Sequence, residues 1–197
     1  MQRIAYKPLA FRKLKPGSSF CQPTTYKPVQ ADSPAIEVMT DLQRIPVATT
    51  TLDATLAQAT QTMVARSVRL LLVVDPIGEI LGLITARDTM GERPIKFIQE
   101  HGGKHSDLKV RDCMTPIERI QVLTMGDVQR AQVGHIVATL ESAGRQHALA
   151  IDIDQASGIE SVRGIFSISQ IGRQLGMPLQ TFEVAQTFAD IKALLAA

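Results

Sequence analysis

The chain has 197 residues, 21 Lys and Arg against 19 Asp and Glu, a net charge of +2 and 45% hydrophobic residues. That balance fits one or two globular domains and argues against a disordered or strongly basic nucleic-acid-coating chain. No apolar run approaches the roughly 18–20 residues of a membrane span, and no uninterrupted signal-peptide stretch opens the sequence, so a cytoplasmic protein with no membrane partner is expected.

Residues 1–35 come first in the chain and differ in kind from the rest. They hold Arg3, Lys7, Arg12, Lys13, Lys15 and Lys27 against Asp32, a balance of +5; set against the whole-chain +2, this leaves −3 for the remainder. Pro8, Pro16, Pro23, Pro28 and Pro34 remove backbone donors and disfavour helix in the residues before them, so an extended Pro-rich basic arm is expected over 1–35. Its charge suits an acidic surface, of this protein or another.

After the arm the chain repeats itself. Val38-Met39-Thr40 returns as Cys113-Met114-Thr115, Arg44-Ile45 as Arg119-Ile120, and Gly82-Leu83-Ile84-Thr85-Ala86-Arg87-Asp88 as Gly164-Ile165-Phe166-Ser167-Ile168-Ser169-Gln170. The copies lie 75 residues apart at the Met-Thr and 82 apart at the glycines, so the extra residues fall in loops. Cys21 and Cys113 have no CxxC partner, which leaves two free thiols and no zinc ribbon.

In the first copy, the β-branched Thr49-Thr50-Thr51 suits a short strand. Thr55 and Gln58 form a capping box, so a helix starts there, with Leu56, Ala59 and Met63 on one face and an end near Ser67. Leu70 to Val74 reads as a strand buried on both faces, Asp75-Pro76-Ile77-Gly78 as a turn, and Ile80 to Ile84 as the returning strand. A helix after Asp88, running through Pro94 to Glu100, completes the unit.

The second copy keeps the order. Gln132 is a poorer helix start, but Val133, Ile136, Val137 and Leu140 form a cleaner stripe, closed by Gly144 as a left-handed cap. Ala148 to Ile151 is the buried strand, followed by a longer hairpin from Asp152 to Gly164. Thr181 to Leu195, with Phe182, Phe188, Ile191 and Leu195 apolar, reads as a closing helix that needs a cover. His101 and His105 would share a helix face, but Gly102 and Gly103 between them break the helix, so no metal site is expected there.

The chemistry concentrates where the first hairpin ends. A strand closing at Ile84, followed by a helix, presents the Thr85 hydroxyl and free backbone donors at one mouth, a setting that suits phosphate. The carboxylate of Asp88 is acceptor-only and can take both hydroxyl protons of a ribose. The same two residues could simply cap the helix.

Two tandem units, each entered by Met-Thr, each with an apolar run ending in Val-Asp or Ile-Asp, the first closed by Gly-Leu-Ile-Thr-Ala-Arg-Asp, resemble a pair of CBS domains, a Bateman module, over about residues 36–176. The resemblance implies an α/β (α+β) fold in which two tandem repeats, 36–104 and 105–176, pack about a pseudo-twofold axis, with the arm before them and a C-terminal helix over 177–197. It implies clefts between the repeats that bind an adenine nucleotide of the AMP, ADP or ATP class as a regulatory ligand, with no obligatory cofactor and no catalysis. It places the ribose on Asp88, with Thr85 and Arg87 in the same motif. Basic residues at the start of the first hairpin strand, Arg69 in one copy and Arg145 with His147 in the other, are the implied phosphate contacts. Ile45, Val47 and Ala48 are the implied adenine slot. In the second copy Ser167 replaces Thr85, but Gln170 stands in place of Asp88, so one competent cleft is expected. Paired modules imply a homodimer acting on a regulated protein that the sequence does not name. A rival reading, a dimeric scaffold with no nucleotide, has Gln170 as its main support, and a nucleic-acid role has only the arm in its favour; salt-sensitive retention on a polyanion, lost with the arm, would mark it.

Overall fold

The computed structural model describes residues 9–19 and 29–176. The expected closing helix at Thr181 to Leu195 and residues 1–8 and 20–28 of the arm lie outside the described residues. Within the arm, residues 9–19 are exposed.

Two four-stranded sheets carry the fold. One has the order β2 (Thr49–Thr50), β3 (Leu70–Val74), β4 (Ile80–Thr85), β5 (Thr115–Pro116); the other runs β6 (Val122–Thr124), β7 (His147–Ile153), β8 (Glu160–Ser167), β1 (Thr40–Asp41). In each, the first pair is parallel and the other two are antiparallel. The two sheets are therefore copies of one plan, as the internal repeat requires.

Local signals account for the main elements. Helix α1 (Leu56–Ala65) starts at the capping box: Thr55 Oγ1 accepts from the Gln58 amide at 3.1 Å and Gln58 Oε1 accepts from the Thr55 amide at 2.8 Å. It ends as the chain turns through Ser67, which has a φ of 53°. In β3 the side chains alternate: Leu71 and Val73 face the helical layer, and Leu70 and Leu72 face the other sheet. The doubly buried reading of that run follows from this sandwich. Helix α6 (Val133–Ser142) buries Val133, Ile136, Val137 and Leu140, the four stripe positions, and Gly144 closes it at a φ of 61°. Its start is supported by His135, whose Nδ1 accepts from the Gln132 amide at 3.1 Å.

The helix expected after Asp88 differs. It begins earlier, as α2 (Ala86–Met90) with Thr85 at its N-cap, and a break at Gly91 separates it from α3 (Glu92–His101). A Cβ at Gly91 would stand 2.5 Å from the Arg87 carbonyl oxygen, so the close turn between the two helices requires glycine. The remaining helices are α4 (Val110–Cys113), α5 (Met125–Arg130) and α7 (Ile168–Gln174).

Three apolar clusters hold the layers. Leu70, Leu72 and Leu149 pack between the sheets; α1 to α4 cover the outer face of the first sheet, with Leu56, Leu71, Val73 and Ile84 buried; α5 to α7 cover the second, around Phe166. The repeats also exchange their opening strands. β1 leaves the first repeat to pair with β8, Thr40 opposite Ile165, and β5 leaves the second to pair with β4, Thr115 opposite Leu83. Residues 29–38 follow β1 to the second repeat. The Ala31 and Ser33 carbonyls accept from the Gly134 and Val133 amides at the start of α6, and Ala35 and Val38 are fully buried in that core.

Candidate functional site

A cleft of about 350 Å³ opens where β4 and α2 of the first repeat meet β5 and β7 of the second. Its apolar side is made by Leu70, Leu83, Ile120 and Leu149, and its polar side by Thr85, Arg87, Asp88, Arg93, Arg119, Arg145 and His147. β4 delivers Thr85 to the mouth, and the turn into α2 sets Asp88 about one helical turn further on, three positions along the chain.

Asp88 is 9% exposed, and both of its oxygens have partners. Its Oδ2 accepts from the Thr85 amide at 2.9 Å and from Thr85 Oγ1 at 2.7 Å, while Oδ1 lies 3.1 Å from Arg93 Nη1. Arg93 reaches further: the same Nη1 donates to the Cys113 carbonyl at 2.8 Å and to Thr115 Oγ1 at 3.0 Å. One guanidinium thus ties the carboxylate of the first repeat to the opening strand of the second. Capping and ligand readiness coexist here, since a carboxylate has more acceptor positions than these bonds consume. Helix α2 has only five residues, so the positive character of the cleft comes from its arginines more than from a helix dipole.

Thr85, Arg87, Asp88, Arg145 and His147 come together on this cleft. Five other sequence-predicted residues are placed elsewhere. Ile45 is half exposed, Val47 packs between the sheets, Ala48 is buried under α1, and none of the three lines the cleft. Arg69 is off the lining; burial, then Arg173, lowers its pKa. Ser167 lies away as well, its Oγ 3.0 Å from that of Ser169. The strand exchange explains the first three. β5, not β1, borders β4, so the segment entering this cleft is 115–121, and Ile120 stands where the 75-residue offset carries Ile45. Arg119, Ile120 and Gln121 were missed for that reason, and Arg93, on α3, because its acceptors converge on it only after folding; the repeat offset, combined with an exchanged strand, would have found Ile120.

The copy at Gln170 is wired differently. Thr40 Oγ1 donates to Gln170 Oε1 at 3.0 Å, so the two repeats touch directly where Arg93 mediates in the first copy. Beside it Arg163 pairs with Asp41, and that bond, ahead of the Gln43 amide and Arg44, holds the Asp41 carboxyl below the usual carboxylate range. Among the described residues no His, Cys, Asp and Glu group could hold a metal ion. Cys113 is buried, and burial, with Asp112 adding to it, pushes its thiol pKa up.

His147, at the start of β7, has its pKa pushed down to about 4, by burial first and by Arg69 second. The folded state therefore keeps a neutral imidazole where the unfolded chain, with an ordinary value of 6.5, takes up a proton. Between those values the unfolded state binds more protons, so stability rises with pH and is lost as pH falls from 6.5 toward 4. The loss amounts to at most about 3 kcal/mol. Urea unfolding of the wild type and His147→Gln between neutral pH and pH ~4.5 checks this: the wild type should lose stability that the variant keeps. Parallel losses would assign the acid sensitivity to other groups.

The family model described as CBS domain matches residues 35–93. That segment is similar to a CBS domain. The matched segment carries the exchanged strand β1, the β3–β4 hairpin, Thr85, Asp88 and Arg93. The second repeat, beyond that match, has the same strand order and completes the pair. Among solved structures, an uncharacterized conserved protein from Pyrococcus horikoshii is similar at a TM-score of 0.53 and 18% identity, covering 78% of this chain and 99% of its own. A protein with CBS domains from Burkholderia ambifaria is similar at 0.51 and 19% identity, covering 74% of this chain and 99% of its own. These likenesses show a shared fold. No curated protein matches the chain. Among the described residues no helix is long and apolar enough to cross a membrane.

Proposed function

We propose that this CBS pair binds an adenine nucleotide in the Asp88 cleft and acts as a regulatory module, by binding rather than by catalysis. The observation that carries the reading is the division of one cleft into three parts. Leu70, Leu83, Ile120 and Leu149 offer an apolar slot for a base, Asp88 beside Thr85 offers acceptors for ribose hydroxyls, and arginines offer partners for phosphate. Because residues of both repeats line the cleft, occupancy bears on how the repeats sit against each other. A ligand that favours one arrangement shifts the population toward it.

The second copy has the Gln170 amide in place of the Asp88 carboxylate, and that amide is already bonded to Thr40. Calorimetric titration of the full chain with AMP, ADP, ATP and S-adenosylmethionine tests the reading. One site per chain for at least one of the nucleotides is expected. Two equally tight sites per chain, or no heat with any of the four, would refute it.

A further inference from the structure

The charge of the Asp88 cleft is unbalanced. Four guanidinium groups line it, from Arg87, Arg93, Arg119 and Arg145, against one carboxylate, Asp88, which Arg93 already neutralises at 3.1 Å. Among the described residues, no carboxylate lies within ion-pair distance of Arg87, Arg119 or Arg145. They come from three separate elements: Arg87 from α2, Arg119 from the short turn Ile117–Arg119 after β5, and Arg145 from the loop between α6 and β7. His147 adds a polar donor or acceptor without adding charge near neutral pH, its pKa being held at about 4. Among the described residues, the cleft thus presents three positive charges without an ion-pair partner.

The space beyond them is open as well. Arg93, Thr115 and Arg119 also border a second cleft of about 270 Å³, shared with Lys96 and Glu100 of α3 and with Asp112. A phosphate chain that passes Arg119 would have this second cleft beside it.

We infer that the Asp88 cleft is selective for the polyphosphate chain: it takes a nucleoside di- or triphosphate in preference to a monophosphate. This rests on the nucleotide reading above and names the ligand class within it. A monophosphate carries about −1.5 to −2 charge at neutral pH and leaves at least one of the three guanidinium groups without a counter-charge. Each further phosphate supplies an anionic group for a charge-assisted, bidentate contact. S-adenosylmethionine brings a cationic sulfonium into a cationic cleft and is disfavoured by the same arithmetic.

The test is competition calorimetry on the full chain, without divalent cations, using adenosine, AMP, ADP, ATP and inorganic tripolyphosphate. Affinity should rise roughly tenfold from AMP to ADP and again from ADP to ATP. In the double variant Arg119→Gln with Arg145→Gln, the ATP-to-AMP ratio should collapse by at least about tenfold. Neither side chain carries a hydrogen bond or ion pair among the described residues, so an unchanged thermal melt is expected of the variant. The gain from the added phosphates should also shrink as salt is raised from ~0.05 to ~0.5 M. ATP binding no tighter than AMP overturns the inference and leaves the nucleotide reading standing. Tripolyphosphate binding with no measurable binding of any nucleotide overturns the nucleotide reading, and the inference with it.

Discussion

Asp88→Ala is expected to weaken nucleotide binding tenfold to several hundredfold. Two ribose hydroxyls donating to this carboxylate would form charge-assisted hydrogen bonds, each worth roughly 1.5–3 kcal/mol before compensation. Part of the effect is structural. Asp88 also accepts the Thr85 amide and hydroxyl and faces Arg93, so the substitution removes the cap of α2 and leaves a guanidinium without its anion. Loss of such a cap costs about 1 kcal/mol of stability. Asp88→Asn separates the two contributions. Its amide oxygen can still accept from the Thr85 amide, so the fold should hold, whereas the missing charge should still weaken ribose binding. Gln170→Ala removes only the Thr40 hydrogen bond and should leave the affinity within a few fold. Equal damage from the Asp88 and Gln170 substitutions, read by calorimetry with a melting curve as control, would contradict the single-site reading.

What the amino-acid order revealed, and what it hid, follows from range. The capping box at Thr55 and Gln58, the apolar run Leu70 to Val74 and the stripe Val133, Ile136, Val137, Leu140 are short-range patterns, and each appears in the structure as the element it spells. The exchanged strands β1 and β5 have two residues each, too few for any periodicity to show, and their partners lie far along the chain. That hidden exchange is why the segment 45–48 was expected at a cleft that residues 115–121 line instead. Arg93 was hidden for a different reason. Its neighbours in sequence form an ordinary helical segment, and its three acceptors, Asp88, Cys113 and Thr115, converge on it only after folding. The break at Gly91 was legible in principle, since glycine inside a helical pattern lowers its propensity by about 1 kcal/mol.

The repeated glycines that open the motifs, Gly82 and Gly164, support a second large expected effect, on stability, and the two copies should respond differently to rescue. Each glycine lies where the exchanged strand of the other repeat crosses: Gly82 is opposite Pro116 of β5, and Gly164 is opposite Asp41 of β1. At Gly82 an added Cβ would stand 2.5 Å from the Thr115 carbonyl oxygen and 3.2 Å from Met114 Cε. At Gly164 it would overlap the side chain of Met39, at Sδ, Cγ and Cε. Forcing a methyl group into either contact should cost about 1–3 kcal/mol or more, as overpacking of a dense interior does. The obstacle differs in kind, however. Met39 is a flexible thioether that can be removed, so Gly164→Ala combined with Met39→Ala should recover part of the loss and show a favourable coupling in a double-mutant cycle. Thr115 obstructs with backbone that is itself paired to β4, so Gly82→Ala combined with Met114→Ala should recover little. Urea unfolding of the four single and two double variants reads both cycles. Equal rescue in the two copies would mean that β5 shifts as easily as a methionine side chain, and the backbone crossing at Gly82 would then not be the rigid joint between the repeats.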